Sequence, residues 1–201
     1  MNPRQYHREL EELIASLGGK KPRLALHSCC GPCSSYCLET LAPHFAVTVF
    51  FCNPNILPPE EFERRLYWQR YLLEHAPFAE GVELVVPPYD PDEFLSAARG
   101  MESLPEGGAR CTECFRLRLG KTAEFARENG FDYFGTTLTV SPHKNAPLIN
   151  ALGEELAAGS GVSWLPSDFK KKEGYKRSCE LAREYGLYRQ DWCGCGLGAT
   201  P

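Results

Sequence analysis

The chain has 201 residues and a formal charge of −4, with 43% hydrophobic and 24% charged residues, which suffices for one well-buried domain of ordinary globular composition. The slightly acidic balance excludes a protein whose whole surface grips nucleic acid, but it leaves room for a local basic patch. No apolar run approaches the ~18 residues that mark a membrane span.

The first 20 residues predict an amphipathic helix. Tyr6, Leu10, Leu13, Ile14 and Leu17 recur at helical spacing, and Glu9, Glu11 and Glu12 break any apolar core that a signal peptide would need. The expected compartment is the cytoplasm, where structural disulfides are disfavoured. Residues 23–27 then read as a buried strand that runs straight into a group of cysteines. A helix is expected over 34–41 and a strand rich in Val and Phe over 47–52. Pro58, Pro59, Glu60 and Glu61 open the next helix, with proline and acids in its first turn. A third strand over 82–86 and a helix over 92–99 lead into a Gly-rich loop that reaches Cys111. Residues 115–129 read as a helix stopped by Gly130, 133–137 as a fourth strand, and 147–158 as a helix. A short fifth strand over 162–165 and a last helix over 177–185, stopped by Gly186, precede a Gly-rich tail over 186–201.

Strands that alternate with helices predict an α/β fold: a parallel sheet, right-handed crossovers and helices on both faces. The expected organisation is a single domain over 1–201, with the tail closing a site. Ligands of such sheets bind beyond the carboxyl ends of the strands. The first cysteine group follows strand one, and the stretch 136–145 follows strand four, so one sheet edge can gather both.

Seven of the ten cysteines form three tight clusters: Cys29-Cys30-Gly31-Pro32-Cys33, Cys111-Thr112-Glu113-Cys114 and Cys193-Gly194-Cys195. In a reducing compartment such spacings point to metal or redox chemistry. No single cluster completes a site. Together they supply seven thiolates, of which a cubane uses four; three remain for a second metal. The first cluster sits where a nucleotide-binding sheet would carry a phosphate loop, yet it offers thiols in place of a run of glycines. A helix N-terminus there favours the thiolate form. Adjacent Cys29 and Cys30 are expected to diverge, with Cys29 and Cys33 converging on one centre while Cys30 faces another. Cys111 and Cys114 alone fit a cubane or half a zinc knuckle equally well; a redox dithiol is a further option, but no thioredoxin pattern surrounds them. Cys37, Cys52 and Cys179 read as small apolar residues.

Lys170, Lys171, Lys172, Lys176 and Arg177 form a basic run with Phe169 and Tyr175 interleaved. It suits a solvated face or, near a cofactor, an RNA backbone with unstacked bases. His143 and Lys144 follow strand four, and Asp191 precedes the third cluster by two residues; His143 is a candidate proton donor and Asp191 a support for the metal site. His27 reads as structural.

Five stretches together resemble the QueH-type epoxyqueuosine reductases. They are Leu26-His27-Ser28-Cys29-Cys30-Gly31-Pro32-Cys33-Ser34, Phe51-Cys52-Asn53-Pro54-Asn55-Ile56, Arg110-Cys111-Thr112-Glu113-Cys114-Phe115-Arg116-Leu117-Arg118, the segment from Thr136 to Asn145, and the segment from Gly186 to Cys195. The resemblance implies a Rossmann-related fold of the adenine-nucleotide-hydrolase type, with metal ligands in place of the ATP loop. It implies a two-electron deoxygenation of epoxyqueuosine to queuosine at the wobble position of tRNA, without cobalamin. It also implies a 4Fe–4S cluster beside one further metal, iron or zinc, and an electron donor of flavodoxin or ferredoxin type. Some members have Asp where this chain has Cys33, and many have Tyr where it has His143. On this basis Cys30, Cys111, Cys114 and one of the tail pair, taken as Cys193, are assigned to the cubane. Cys29, Cys33 and the other tail cysteine, Cys195, are assigned to the second metal. Cys29, Cys33, His143 and Asp191 are the expected catalytic set, and Asn53, Lys144, Lys172, Arg177 and Arg189 the expected substrate and tRNA contacts. Two competing readings are an iron–sulfur tRNA thiolation enzyme, which would need an ATP loop that this sequence lacks, and a non-catalytic zinc-stabilised RNA-binding module.

Overall fold

A computed structural model describes residues 4–197. Five strands form one parallel sheet in the order β3-β2-β1-β4-β5. They are β1 (Arg23–His27), β2 (Ala46–Phe50), β3 (Glu83–Val85), β4 (Tyr133–Thr136) and β5 (Ser163–Trp164). The strand order reverses at β1, whose neighbours are β2 on one side and β4 on the other. His27 lies opposite Phe50 and Thr136, so all three central strands end level at the same edge.

Side-chain alternation divides the core between two helical layers. Leu24 and Leu26 of β1 point to one face, where they pack with Val47, Val49 and the apolar stripes of α1 (Tyr6–Ser16), α2 (Gly31–Leu41), α3 (Pro59–His75) and α7 (Gly174–Glu184). Ala25 points to the other face, under Leu119 of α5 (Ala109–Glu128) and Ile149 and Leu152 of α6 (Ala146–Ala157). Phe50 of β2 also points this way and stacks on Phe125 at 4.4 Å between ring centroids. Burial on both faces is what a near-continuous apolar strand such as β1 requires. The short helix α4 (Pro91–Ala97) packs against α5. Among the described residues no helix is long and apolar enough to cross a membrane.

The parallel sheet and the alternation of strands with helices agree with the sequence expectation; three helices, α2, α5 and α7, start earlier than expected, and the first two starts matter to the site. The second helix begins at Gly31, three residues earlier than expected, with Pro32 in its first turn. Cys30 is thus its N-cap residue and Cys33 lies inside the first turn. Gly31 is demanded by packing, because a Cβ there would stand 2.7 Å from the Trp68 carbonyl oxygen of α3. The fifth helix begins at Ala109, where a loop was expected to reach Cys111 and the helix to start at 115. The Gly107-Gly108 pair ends the preceding loop, and Gly108 serves as the N-cap. Cys111 and Cys114 therefore stand one turn apart on one helical face.

Gly31→Ala is expected to drive α2 away from α3 and to lower the unfolding free energy by about 1–3 kcal/mol, the usual range for overpacking. Urea unfolding followed by circular dichroism measures it. An unchanged midpoint would mean that the two helices do not touch there.

Candidate metal centre

β1 delivers the chain to the point of strand-order reversal, where parallel sheets of this kind open to ligands. Cys29, Cys30 and Cys33 follow at once, and their Sγ atoms all lie within 4.8 Å of one another. The expected divergence of Cys29 and Cys30 is therefore not what the fold produces: early entry into α2 folds all three thiols toward one point. Polar contacts beneath fix this turn. Ser34 Oγ donates to Gln69 Oε1 at 2.7 Å, and Ser28 Oγ lies 3.0 Å from the same oxygen. Asn53 Nδ2 donates to the Ser28 carbonyl at 2.8 Å. His27 bridges β4 and the loop after β2, with Nδ1 2.9 Å from Thr136 Oγ1 and Nε2 3.2 Å from the Cys52 carbonyl. Burial pushes its pKa down to about 3, so it stays neutral and structural.

Crowding makes the three thiols share charge. Hydrogen bonds from Cys30 and Cys33 hold Cys29 well below the ordinary thiol range. In return, Cys29 pushes Cys30 up to about 12 and Cys33 well above its usual value. The sharing favours the thiolate at Cys29, and metal ligation keeps ligating thiols deprotonated.

The second cluster lies on α5. Cys111 Sγ accepts a hydrogen bond from the Gly107 N–H at 3.2 Å, and Cys29 packs at the border of the same apolar cluster. Cys114 is buried with Phe94, Ala98 and Cys195, with Cys193 alongside. Burial raises the Cys114 thiol.

The tail that carries the third cluster is held by two buried arginines. Arg65 of α3 pairs with Glu61 at 2.6 Å and donates to the Cys193 carbonyl at 3.3 Å. Tyr188 donates to the same carboxylate at 3.2 Å. Gly194 (φ 98°) lies so close that a Cβ would stand 2.9 Å from an Arg65 nitrogen, and its carbonyl accepts from the Leu57 N–H at 2.7 Å. Arg110 of α5 spans the carbonyls of Glu102 at 2.7 Å and Leu197 at 2.8 Å. Cys195 donates to Cys193, whose pKa falls to about 5, with Lys144 and Arg118 adding to the effect; Cys195 is raised correspondingly.

A cavity of about 520 Å³ opens over this edge, with Cys29, Cys33 and Cys193 in its lining. His143, Lys144, Arg189 and Asp191 also line it. Lys144 is tied to Glu106 at 2.5 Å, and Asn145 caps α6 by accepting from the Leu148 N–H at 3.1 Å, which fixes the loop after β4. Asn53 is buried behind the cysteine loop, outside the lining. Lys172 and Arg177 also lie outside it, paired with Glu11 and Glu39. Cys37 and Cys52 are buried elsewhere, Cys37 in the main core, and Cys179 is half-buried on α7.

A family model described as epoxyqueuosine reductase QueH matches residues 24–200. The chain belongs to the QueH family. A relative named epoxyqueuosine reductase QueH from Streptococcus pyogenes serotype M1 is 44% identical over 99% of this chain and 81% of its own length. One of the same name from Staphylococcus epidermidis is 42% identical over 96% of this chain and 84% of its own. Another from Thermotoga maritima is 33% identical over 85% and 86%. The QueH match begins at β1 and takes in all three cysteine clusters, so the family and the gathered thiols occupy the same stretch of chain. The donor set fits a thiolate-bound metal, since three sulfurs converge and a buried cation, Arg118 of α5, faces them without a carboxylate of its own.

Sequence reasoning missed Arg65, Arg110 and Arg118 as parts of this QueH site, and it missed Trp192 as part of the cavity wall. Arg65 and Arg118 fell within expected helices and Arg110 in the expected loop before Cys111, with no role assigned to any of them. A signal existed only for Arg118, which follows Cys114 by four residues and so shares its face of α5. Arg65→Met would leave Glu61 buried without its partner and is expected to lower stability by about 3–5 kcal/mol. The double change Glu61→Gln with Arg65→Met should recover more than half of that loss. Urea unfolding of the three variants decides it; a single Arg65→Met change as stable as the parent would remove the clamp from the account.

Proposed function

We propose that this QueH-family chain is an epoxyqueuosine reductase, an oxidoreductase that converts epoxyqueuosine to queuosine in tRNA. The observation that carries the reading is the convergence of Cys29, Cys30 and Cys33 at the switch point of the sheet, under a cavity that Cys193 also lines, with Cys111 and Cys114 in the apolar clusters that adjoin it. The reaction breaks both C–O bonds of an epoxide and forms a C=C bond. It consumes two electrons and two protons and releases the oxygen as water. Neither the thiolation reading nor the zinc-module reading is favoured by membership of this family.

The proposed cofactors are a 4Fe–4S cluster and one further metal, iron or zinc. When bound, the cluster supplies electrons one at a time and the neighbouring metal supplies Lewis acidity. Exposure sorts the seven thiols into two sets. Cys30, Cys111, Cys114 and Cys195 are all buried, at 1–6% exposure, and we assign them to the cubane. Cys29, Cys33 and Cys193 are half-buried and line the cavity, and we assign them to the second metal. This exchanges the two tail cysteines relative to the sequence-based assignment.

The remaining groups bind and protonate. His143 and Asp191, both exposed on the cavity wall, are placed to hold protons at the imidazole and the carboxylate. Tyr175 and Trp192 are 38% and 39% exposed at the cavity and offer flat faces to unstacked anticodon bases. Lys144 and Arg189 supply positive charge on the same wall, while Asn53 acts through the Ser28 carbonyl that it holds. Lys172 and Arg177 lie farther out and suit phosphates of the tRNA arms, contacts that weaken with salt. A flavodoxin- or ferredoxin-type protein is the proposed electron donor.

Anaerobic incubation of the metal-loaded protein with epoxyqueuosine tRNA and a strong reductant, followed by nucleoside mass analysis, should show loss of one oxygen. Unchanged epoxyqueuosine in the presence of an intact, reducible cluster would contradict the reading. Cys33→Ser should keep the cubane spectrum yet lose most turnover, because a hydroxyl replaces a thiolate poorly on a soft metal. Cys33→Asp should lose less, since a carboxylate ligates iron or zinc. Full activity of Cys33→Ser at unchanged metal content would remove Cys33 from the site.

A further inference from the structure

Three arginines are almost wholly buried around the metal site, each at 2% exposure, and in two of them the guanidinium has acceptors outside its own helix. Arg65 has the Glu61 carboxylate, and Arg110 has a set of backbone carbonyls. Arg118 has neither. Its Nε donates to the Cys114 carbonyl at 3.3 Å, within its own helix, and its terminal nitrogens find no acceptor among the described residues. No ion pair among the described residues includes it.

A guanidinium does not deprotonate in proteins, so its charge persists on burial. An uncompensated buried ion costs several kcal/mol even after the surroundings relax. The ionisable groups that act most strongly on Arg118 are thiols: Cys114, Cys29 and Cys193, with Cys52 acting less. The first three come one from each cluster. Lys144 repels it and is itself tied to Glu106. Arg118 also lines the cavity. Among the described residues the negative charge that acts most strongly on Arg118 is that of thiolates drawn from three separate stretches of chain; the carboxylates of Glu106 and Asp191 share the cavity lining but form no ion pair with it.

We propose that Arg118 is the charge-compensating residue of the metal centre, the positioning residue that sets its reduction potential and its metal affinity. This rests on the reading of the site as a redox metal centre. A fixed positive charge beside the centre favours the state that carries an extra electron. It also favours the thiolate form that metals require. Its removal makes reduction harder and metal binding weaker.

The test compares Arg118→Gln and Arg118→Met, which remove the charge, with Arg118→Lys, which keeps it. Redox titration of the reconstituted proteins, followed by visible and EPR spectra, reads the potential. Chelator competition reads the affinity for each metal. The uncharged variants should shift the one-electron reduction equilibrium at least tenfold toward the oxidised form, about 59 mV, and should bind metal at least tenfold more weakly. Arg118→Lys should stay within about threefold of the parent in both. A folded, uncharged variant with the parent's potential and affinity would overturn the proposal. Should every uncharged variant fail to fold while Arg118→Lys folds, a charge is required there, as proposed. Failure of Arg118→Lys as well would make the role one of shape and overturn it. If the parent protein takes up only redox-inert zinc, the reductase reading fails; the affinity ratio then still decides the role of Arg118, in the same direction and by the same factor.

Discussion

Thiols that ionise side by side repel one another, and the structure is arranged around that repulsion. Cys29 can hold a proton-free sulfur only while Cys30 and Cys33 donate to it, and those two are driven upward as a result. Cys193 and Cys195 repeat the arrangement at the tail. A metal ion resolves the conflict, because ligation replaces each shared proton with a shared cation. Fixed cations lower the remaining cost: Arg118 stands among the clusters and Lys144 close beside them.

The fold supplies this meeting point cheaply. A parallel sheet that reverses its strand order at β1 leaves a crevice at its carboxyl edge. β1 carries one cluster there directly, and α5 reaches the same edge with its N-terminus after a loop. The tail has no core of its own to join, so it is fastened by polar contacts, with Arg65 and Arg110 gripping its carbonyls and Leu57 gripping Gly194. Such a fastening is directional, and it sets where Cys193 and Cys195 stand. A hydrophobic tail of the same length would be held less specifically.

Much of this was legible in the sequence because it rests on local pattern. The limits of β1 follow from an apolar run that ends at the cysteines, and its parallel neighbours follow from the alternation of elements. The starts of α2 and α5 were not legible, because glycine was taken as loop punctuation. Gly31 instead answers to the Trp68 carbonyl, a contact about 37 residues away in sequence, and Gly108 answers to its role as N-cap. The buried arginines were hidden for the same reason. Arg65 looks like a solvated helix residue and Arg110 like a loop residue until the tail crosses over them, and nothing local announces that crossing. The basic run ahead of α7 was visible, but its pairing of Lys172 with Glu11 and of Arg177 with Glu39 is tertiary.

The central claim is that seven cysteines from three separate stretches of chain form one composite metal centre. Iron and sulfide analysis of the anaerobically reconstituted protein, combined with Mössbauer spectroscopy, tests it most directly. The account predicts a brown protein with about four irons in a cubane and one further metal of distinct coordination. A colourless protein saturated by two zinc ions, or a cubane with no additional metal when all seven cysteines are intact, would contradict it.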